Sequence, residues 1–327
     1  MSKKALATIL SGLFVAMVLV LAGTYIHYDR ETASLSDEVR RHLSGSFIKL
    51  PEGVVHYEVA GPQDARIVVL VHGFSVPYYI WDPTFDALAK AGFRVIRYDL
   101  YGRGYSDRPD VAYDADLFDR QLAELLARLN IREPVDLVGL SMGGPIVVTF
   151  TDRHPEKVRT VSLFDPSYQT GGEPPLPLQL PFVGDYWMDV FEAPSMPDSQ
   201  LADFYHPELF PDWPLKYQEQ MRYKGFRRAI LSTIRNFMTR NDTEEYERLG
   251  KSGRPILLLW GEADATVLFD VSSEVLRVLP QAEFHAIEEA AHLPHYERPE
   301  VVNPILLAFL NKWRDYVFAN SKKESDL

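Results

Sequence analysis

Short apolar runs punctuate this chain, and their spacing predicts its elements. Phe47–Leu50 and Val54–Ala60, split by Pro51-Glu52-Gly53, read as an antiparallel pair of strands. Ile67–Val71 is apolar without interruption, as a strand buried on both faces must be. Phe93–Tyr98, Val135–Leu140, Val158–Phe164, Ile256–Trp260 and Ala282–Ile287 are further strand candidates. Helical segments separate most of them. From Asp114 to Asn130 the positions Leu117, Phe118, Gln121, Leu122, Leu125, Leu126 and Leu129 recur at helical spacing, with Gln121 the one polar member of the stripe. Strands alternating with helices predict an α/β fold, a mostly parallel sheet covered on both faces.

Two stretches break the alternation. The first is an uncharged apolar run, Ala5–Ile26, preceded by Lys3 and Lys4. A helix of that length rises about 1.5 Å per residue and matches a hydrocarbon core of about 30 Å, so residues 1–28 are expected to form a membrane-spanning signal anchor. A secretory signal cleaved after Val20-Leu21-Ala22 is the rival; the run exceeds the usual apolar region of about 7–15 residues, which favours retention. The basic flank predicts a cytoplasmic amino terminus and the main domain on the far side, periplasmic in a bacterium. Residues 29–46 read as a polar linker, with Ser36 capping a short helix that ends near His42.

The second interruption lies between Phe164 and Arg254. Residues 168–249 are dense in proline and aromatics, as in EPPLPLQLPF and FYHPELFPDWP, and turn helical over Lys224–Met238. They predict an inserted cap over the carboxyl edge of the sheet, within a main domain spanning 47–320. A polar tail, 321–327, closes the chain.

Composition narrows the chemistry. With 34 basic and 46 acidic residues among 327, the net charge of −12 repels phosphate backbones and argues against a nucleic-acid partner. The absence of cysteine removes disulfides, thiolate metal sites and cysteine nucleophiles. Histidines and carboxylates do not cluster at metal-ligand spacing and there is no glycine-rich phosphate loop, so no cofactor or metal is expected.

What remains is nucleophilic chemistry. Gly139-Leu140-Ser141-Met142-Gly143 matches the G-x-S-x-G elbow, between a β-branched strand and a segment of small residues suited to a helix start. The reaction needs a serine oxygen held clear of the sheet on a tight turn, and flanking glycines let neighbouring backbone approach. Val71-His72-Gly73-Phe74 closes the first buried strand, where the second oxyanion donor of such an elbow sits. The backbone N–H groups of Phe74 and Met142 are therefore the expected oxyanion hole, and His72 is expected to structure its loop. In enzymes built on this elbow the acid and then the histidine follow the serine. His292, just past the last strand candidate, is the expected base; His295 and His285 compete with it. Asp264, closing Trp260-Gly261-Glu262-Ala263-Asp264, is the expected acid. Asp165, at the end of the earlier strand, is its competitor, and Glu262 comes too early in the turn.

The stretches VLVHGF, YDLYGRGYSDRP, DLVGLSMGG, WGEAD and AHLPHYERP together resemble the α/β-hydrolase family, from about Phe47 to Phe318, in its carboxylesterase and monoacylglycerol-lipase-like branch. Two positions depart from the family pattern: Ala291 stands where glycine is common, and no proline follows Asp264. The resemblance implies a structural role for Asp99 and the GRGYSD loop. It also implies a small-molecule ester substrate, an apolar or lipid-like one given the aromatic cap and the anchor. Serine at 141 argues against the dehalogenases and epoxide hydrolases of this fold, which attack with a carboxylate. A cofactor-free carbon–carbon bond hydrolase, another acyl-transfer activity and a hydrolase-like binding protein are the alternatives.

Overall fold

The computed structural model describes residues 2–169 and 172–317; the expected polar tail and the last three residues of the expected catalytic domain lie outside them. Eight strands form one sheet: β1 (Ser46–Lys49), β2 (Val54–Ala60), β3 (Ile67–Val71), β4 (Arg94–Tyr98), β5 (Val135–Leu140), β6 (Val158–Phe164), β7 (Ile256–Gly261) and β8 (Glu283–Ile287). Their spatial order is β1-β2-β4-β3-β5-β6-β7-β8. β1 with β2 and β2 with β4 are antiparallel, and every later pairing is parallel. The fully buried strands β3, β5 and β7 lie inside the sheet, each flanked by a strand on both sides.

The helices, in chain order, begin with α1 (Lys3–Tyr28), α2 (Asp37–Arg40), α3 (Asp82–Lys90), α4 (Ala115–Arg128) and α5 (Gly143–Arg153). They continue with α6 (Leu176–Gln179), α7 (Val183–Trp187), α8 (Ala193–Ser199), α9 (Trp213–Met221), α10 (Phe226–Asn236) and α11 (Thr243–Lys251). α12 (Val271–Val278), α13 (Pro294–Glu297) and α14 (Pro299–Lys312) complete the fold. α4 starts where the Asp114 carboxylate accepts the Leu117 N–H at 2.9 Å, a side-chain cap of the kind worth about 1 kcal/mol. Its stripe buries Leu117, Phe118, Leu122, Leu125 and Leu126. Gln121 is buried with them because it is fully bonded: its amide accepts the Tyr101 N–H and donates to the Asp99 carbonyl, both at 2.9 Å.

Two apolar clusters sandwich the sheet, one including Leu117, Phe150 and Trp260, the other Trp81, Trp213 and Phe309. Cap helices α6–α10 form the insertion over the carboxyl edge. They are tied to the strand-end loops by Arg103 donating to Thr233 Oγ1 (2.8 Å) and by Gln220, which accepts the Gly104 N–H (2.9 Å) and donates to the Ser75 carbonyl (2.8 Å). α11, inside the expected cap range 168–249, instead packs on α5 and α12. The segment 29–46 is held down rather than loose: the Ala33 N–H donates to the Arg222 carbonyl and its own carbonyl accepts the Lys224 N–H, both at 2.9 Å. α2 begins with the Ser36 hydroxyl accepting the Val39 N–H at 3.3 Å.

Candidate active site

Ser141 stands between β5 and α5 with φ at +52°, in the left-handed region that a side chain enters at a cost. Packing enforces the turn. A Cβ on Gly139 would lie 2.4 Å from the Gly143 carbonyl oxygen, and one on Gly143 would lie 2.3 Å from that of Val71, so only glycine fits either flank. The Ser141 N–H donates to the Phe164 carbonyl at 2.9 Å, and its carbonyl accepts the Gly144 and Ser167 N–H groups at 2.8 and 3.1 Å. Strain of this kind persists where the surroundings over-determine it. The N–H groups of Phe74 and Met142 donate no hydrogen bond among the described residues. Two unspent donors thus belong to the loop after β3 and the start of α5, the segments that bring Gly73 within 3.1 Å of Ser141 Cβ (measured from where a Cβ would stand).

His292 follows β8 in a buried loop. Its Nδ1 lies 2.8 Å from Asp264 Oδ2. Asp264 follows β7, and its Oδ1 accepts the N–H groups of Thr266 and Val267 at 2.8 and 2.9 Å. These bonds leave the carboxylate one orientation, and with its Nδ1 proton on Asp264 the neutral imidazole keeps a lone pair on Nε2. Burial alone would lower the affinity of His292 for a proton. The Asp264 hydrogen bond and charge, with the charge of Asp203, outweigh it and raise its pKa above the ordinary histidine value.

A cavity of about 280 Å³ joins these groups: Ser141, His292, Gly73, Phe74 and Thr266 line it from the sheet side, Ser199, Gln200, Ala202 and Asp203 from the cap. No lysine or arginine is among its lining residues, and its ionisable groups are His292 and Asp203. Asp203 accepts a hydrogen bond from Thr266 Oγ1 at 2.6 Å, and its carbonyl accepts the His292 N–H at 3.0 Å. Burial raises the pKa of its carboxyl, against the opposing pull of His292 and the Thr266 bond. The sequence carries no motif around Asp203; its position depends wholly on how the cap folds back.

Asp165 lies beside Asp264. It has φ +43°, is fully buried, and takes the Gly261 N–H on Oδ1 at 2.8 Å while its Oδ2 finds no partner among the described residues. Burial first, and the charge of Asp264 second, push its carboxyl well above the usual range. Asp165, Asp264 and His292 each offer an atom within 4.8 Å of the others, a grouping that could receive a cation. Yet Asp264 already spends both oxygens on His292 and two backbone donors, so a metal would have to break those bonds.

His72 and His295 are occupied. His72 Nε2 accepts the Leu100 N–H and its Nδ1 donates to the Gly73 carbonyl, both at 2.9 Å, and burial lowers its pKa to about 4. His295 donates to the Ile80 carbonyl at 2.9 Å beside the Trp81 ring, its pKa pushed down to about 3 by burial. His285 lies on β8 within reach of Glu283, and Glu262 is exposed. Asp99 is fully buried and binds His56 Nδ1 and the Tyr78 and Tyr105 N–H groups at 2.8 Å each, which fixes the loop that follows β4.

Comparison with known proteins agrees with this architecture. Residues 68–305 match the profile of the "Alpha/beta hydrolase family". An AB hydrolase superfamily protein of Bacillus subtilis, YisY, is 26% identical over 278 residues, covering 82% of this chain and 99% of the relative. A 2-hydroxy-6-oxononadienedioate/2-hydroxy-6-oxononatrienedioate hydrolase of Paraburkholderia phymatum is 30% identical over 267 residues, covering 79% and 91%. Among solved structures, a thermophilic esterase from Thermogutta terrifontis superposes with a TM-score of 0.71 at 22% identity, covering 82% of this chain and 99% of the esterase, a likeness of fold.

Proposed function

The chain belongs to the alpha/beta hydrolase family, and from that premise we propose that it hydrolyses carboxylic esters through an acyl-enzyme. Ser141 is the nucleophile, His292 the general base and Asp264 the carboxylate that orients it. His292 Nε2 takes the hydroxyl proton as Ser141 Oγ attacks the ester carbonyl, and the tetrahedral oxyanion rests on the N–H groups of Phe74 and Met142. The imidazolium returns the proton to the departing alkoxide, leaving the acyl group on Ser141. Water, deprotonated by the same nitrogen, then attacks the acyl carbonyl, and collapse releases the acid and restores the serine. The observation that carries this reading is the strained, glycine-flanked Ser141 sharing one cavity with a histidine already bonded to a buried aspartate.

The charge of the cavity favours esters over the carbon–carbon alternative. The Paraburkholderia phymatum relative is named for dioate substrates, which carry two carboxylates. This cavity has no lining cation to receive them, and Asp203 repels them. Neutral apolar esters such as monoacylglycerols fit better. A cavity of about 280 Å³ is near the small end for a ligand site, so a long acyl chain must extend outward past the cap.

The same reading gives α1 as a membrane anchor, with Lys3 and Lys4 on the cytoplasmic side and the catalytic domain opposite. It is supported by 26 helical residues of mean hydropathy 2.6 over their most apolar window, none of them buried. A panel of p-nitrophenyl esters tests the substrate class. Acetate to laurate esters should turn over, a hemisuccinate at least about tenfold more slowly than the neutral ester of equal length, equivalent to ~1.4 kcal/mol. A dienedioate cleaved faster than any ester would replace this reading with carbon–carbon hydrolysis.

A further inference from the structure

The apolar helix α1 meets the rest of the protein at its end. Thr24 and Tyr28 are its only partly covered members among the described residues, and Thr24 Oγ1 lies 2.5 Å from the Tyr186 hydroxyl of the cap. Just beyond, the chain is clasped. Arg227, buried in the cap, holds Asp29 at 2.6 Å, Asp189 at 3.2 Å and Glu31 at 3.3 Å. Glu31 also accepts the N–H groups of Gly225 and Arg227 at 2.6 and 2.7 Å. A free leash would let the cap face any direction; this clasp allows it one orientation relative to the helix end.

The cap surface beside that contact is apolar and open. Phe182, one helical turn before Tyr186, is 88% exposed, and Leu176, Leu180 and Val183 around it are exposed as well. Phe191, 53% exposed, sets its ring 4.7 Å from Trp187 and 6.4 Å from Tyr186. Phe182 has φ +62°, a conformation that costs a bulky residue on the order of 1–3 kcal/mol. Its N–H donates to Asp185 at 3.1 Å, which holds the turn. In water the arrangement is unfavourable twice over, in backbone strain and in apolar exposure.

A bilayer removes the second cost. If α1 spans the hydrocarbon, Ala5–Ile26 covers about 33 Å, and Thr24 lies within about one turn of the far boundary. Tyr186 is at the same level, and tyrosine and tryptophan are the rings that membrane interfaces collect. We propose that Leu176, Leu180, Phe182, Val183 and Phe191 form a membrane-docking surface, seated at the headgroup–acyl boundary of the leaflet in which α1 ends. The proposal rests on the reading of α1 as a span. The Arg227 clasp sets the depth, and the cap that walls the cavity through Ser199, Gln200 and Asp203 then rests directly on lipid.

The chain has no cysteine, so one introduced cysteine is a unique label site. Full-length Phe182→Cys, Leu13→Cys and Glu133→Cys proteins, each carrying an NBD fluorophore, would be reconstituted in phosphatidylcholine vesicles with doxyl-labelled lipids. Glu133 precedes β5, at the sheet edge opposite the cap. The Leu13 label should be quenched by deep doxyl groups and the Phe182 label by shallow ones, with the Glu133 label unaffected. Quenching at Leu13 without quenching at Phe182 overturns the docking surface and leaves the span intact. Quenching at neither overturns the span and the surface together. A Phe182 label shielded from lipid, with unlabelled Phe182→Cys protein joining two molecules through a disulfide when treated with a copper–phenanthroline oxidant, assigns the patch to a dimer and overturns the proposal.

Discussion

Asp165 and Asp264 end neighbouring strands and share one buried pocket, with carboxyl oxygens within 4.8 Å of each other, but only Asp264 is bonded to His292. Burial and the charge beside it raise the proton affinity of Asp165. The two carboxyls therefore have different surroundings: Asp264 faces the imidazole and two backbone donors, and Asp165 lies beside it on the Gly261 N–H.

That division predicts an asymmetric pair of variants. Asp264→Asn removes the charge and the acceptor that fix the imidazole, and should lower kcat by on the order of 10⁴-fold. Asp165→Asn leaves the His292–Asp264 bond in place and should lose only a small fraction of that. Steady-state kinetics on p-nitrophenyl butyrate decide it. Collapse in Asp165→Asn with near-normal rates in Asp264→Asn would move the acid to the earlier strand.

The acid limb of the pH profile should lie above the ordinary histidine value. His292 must be neutral to act as base, and its raised pKa keeps the inactive imidazolium populated to higher pH. kcat/KM should thus fall as pH drops through a midpoint above about 6.5. Asp203→Asn removes a negative charge that favours the imidazolium, so its midpoint should move down. A midpoint unchanged by that substitution would remove Asp203 from the electrostatics of the base.

The elbow should tolerate no side chain at Gly143. A Cβ there meets the Val71 carbonyl oxygen at 2.3 Å, backbone that cannot swing aside. Gly143→Ala should cost at least about 1–3 kcal/mol of stability, as overpacking does, and lower activity further by displacing Ser141. Thermal melts compared with the parent protein measure it, and an unchanged melting temperature would contradict the packing described.

Much of this was legible before the fold was seen. All eight strands lie within about one residue of where the runs put them, and β3 and β7 are the plainest, because a strand buried on both faces and wholly apolar has no polar position to blur its limits. The tight turn at Ser141 and the meeting of Asp264 with His292 follow from residue types and their order along the chain, and the structure brings His292 into one cavity with Ser141. Gln121 could not be explained from the helical stripe, since both its bonds reach into the loop after β4. Asp203 gave no signal either: its approach to His292 depends on a cap whose proline-broken segments have no periodicity to follow. The hold of Arg227 on Asp29 and Glu31 was equally hidden, a contact across about 200 positions of sequence between residues of common type.

The most direct test of the central claim is the site of covalent modification by a fluorophosphonate, which reacts with an activated serine and mimics the acylation step. Peptide mass spectrometry of the labelled full-length protein should find one adduct, on Ser141. Labelling should disappear in Ser141→Ala and fall sharply in His292→Ala, with both variants folded by circular dichroism. An adduct on any other serine, or undiminished labelling in Ser141→Ala, would contradict the assignment of the nucleophile.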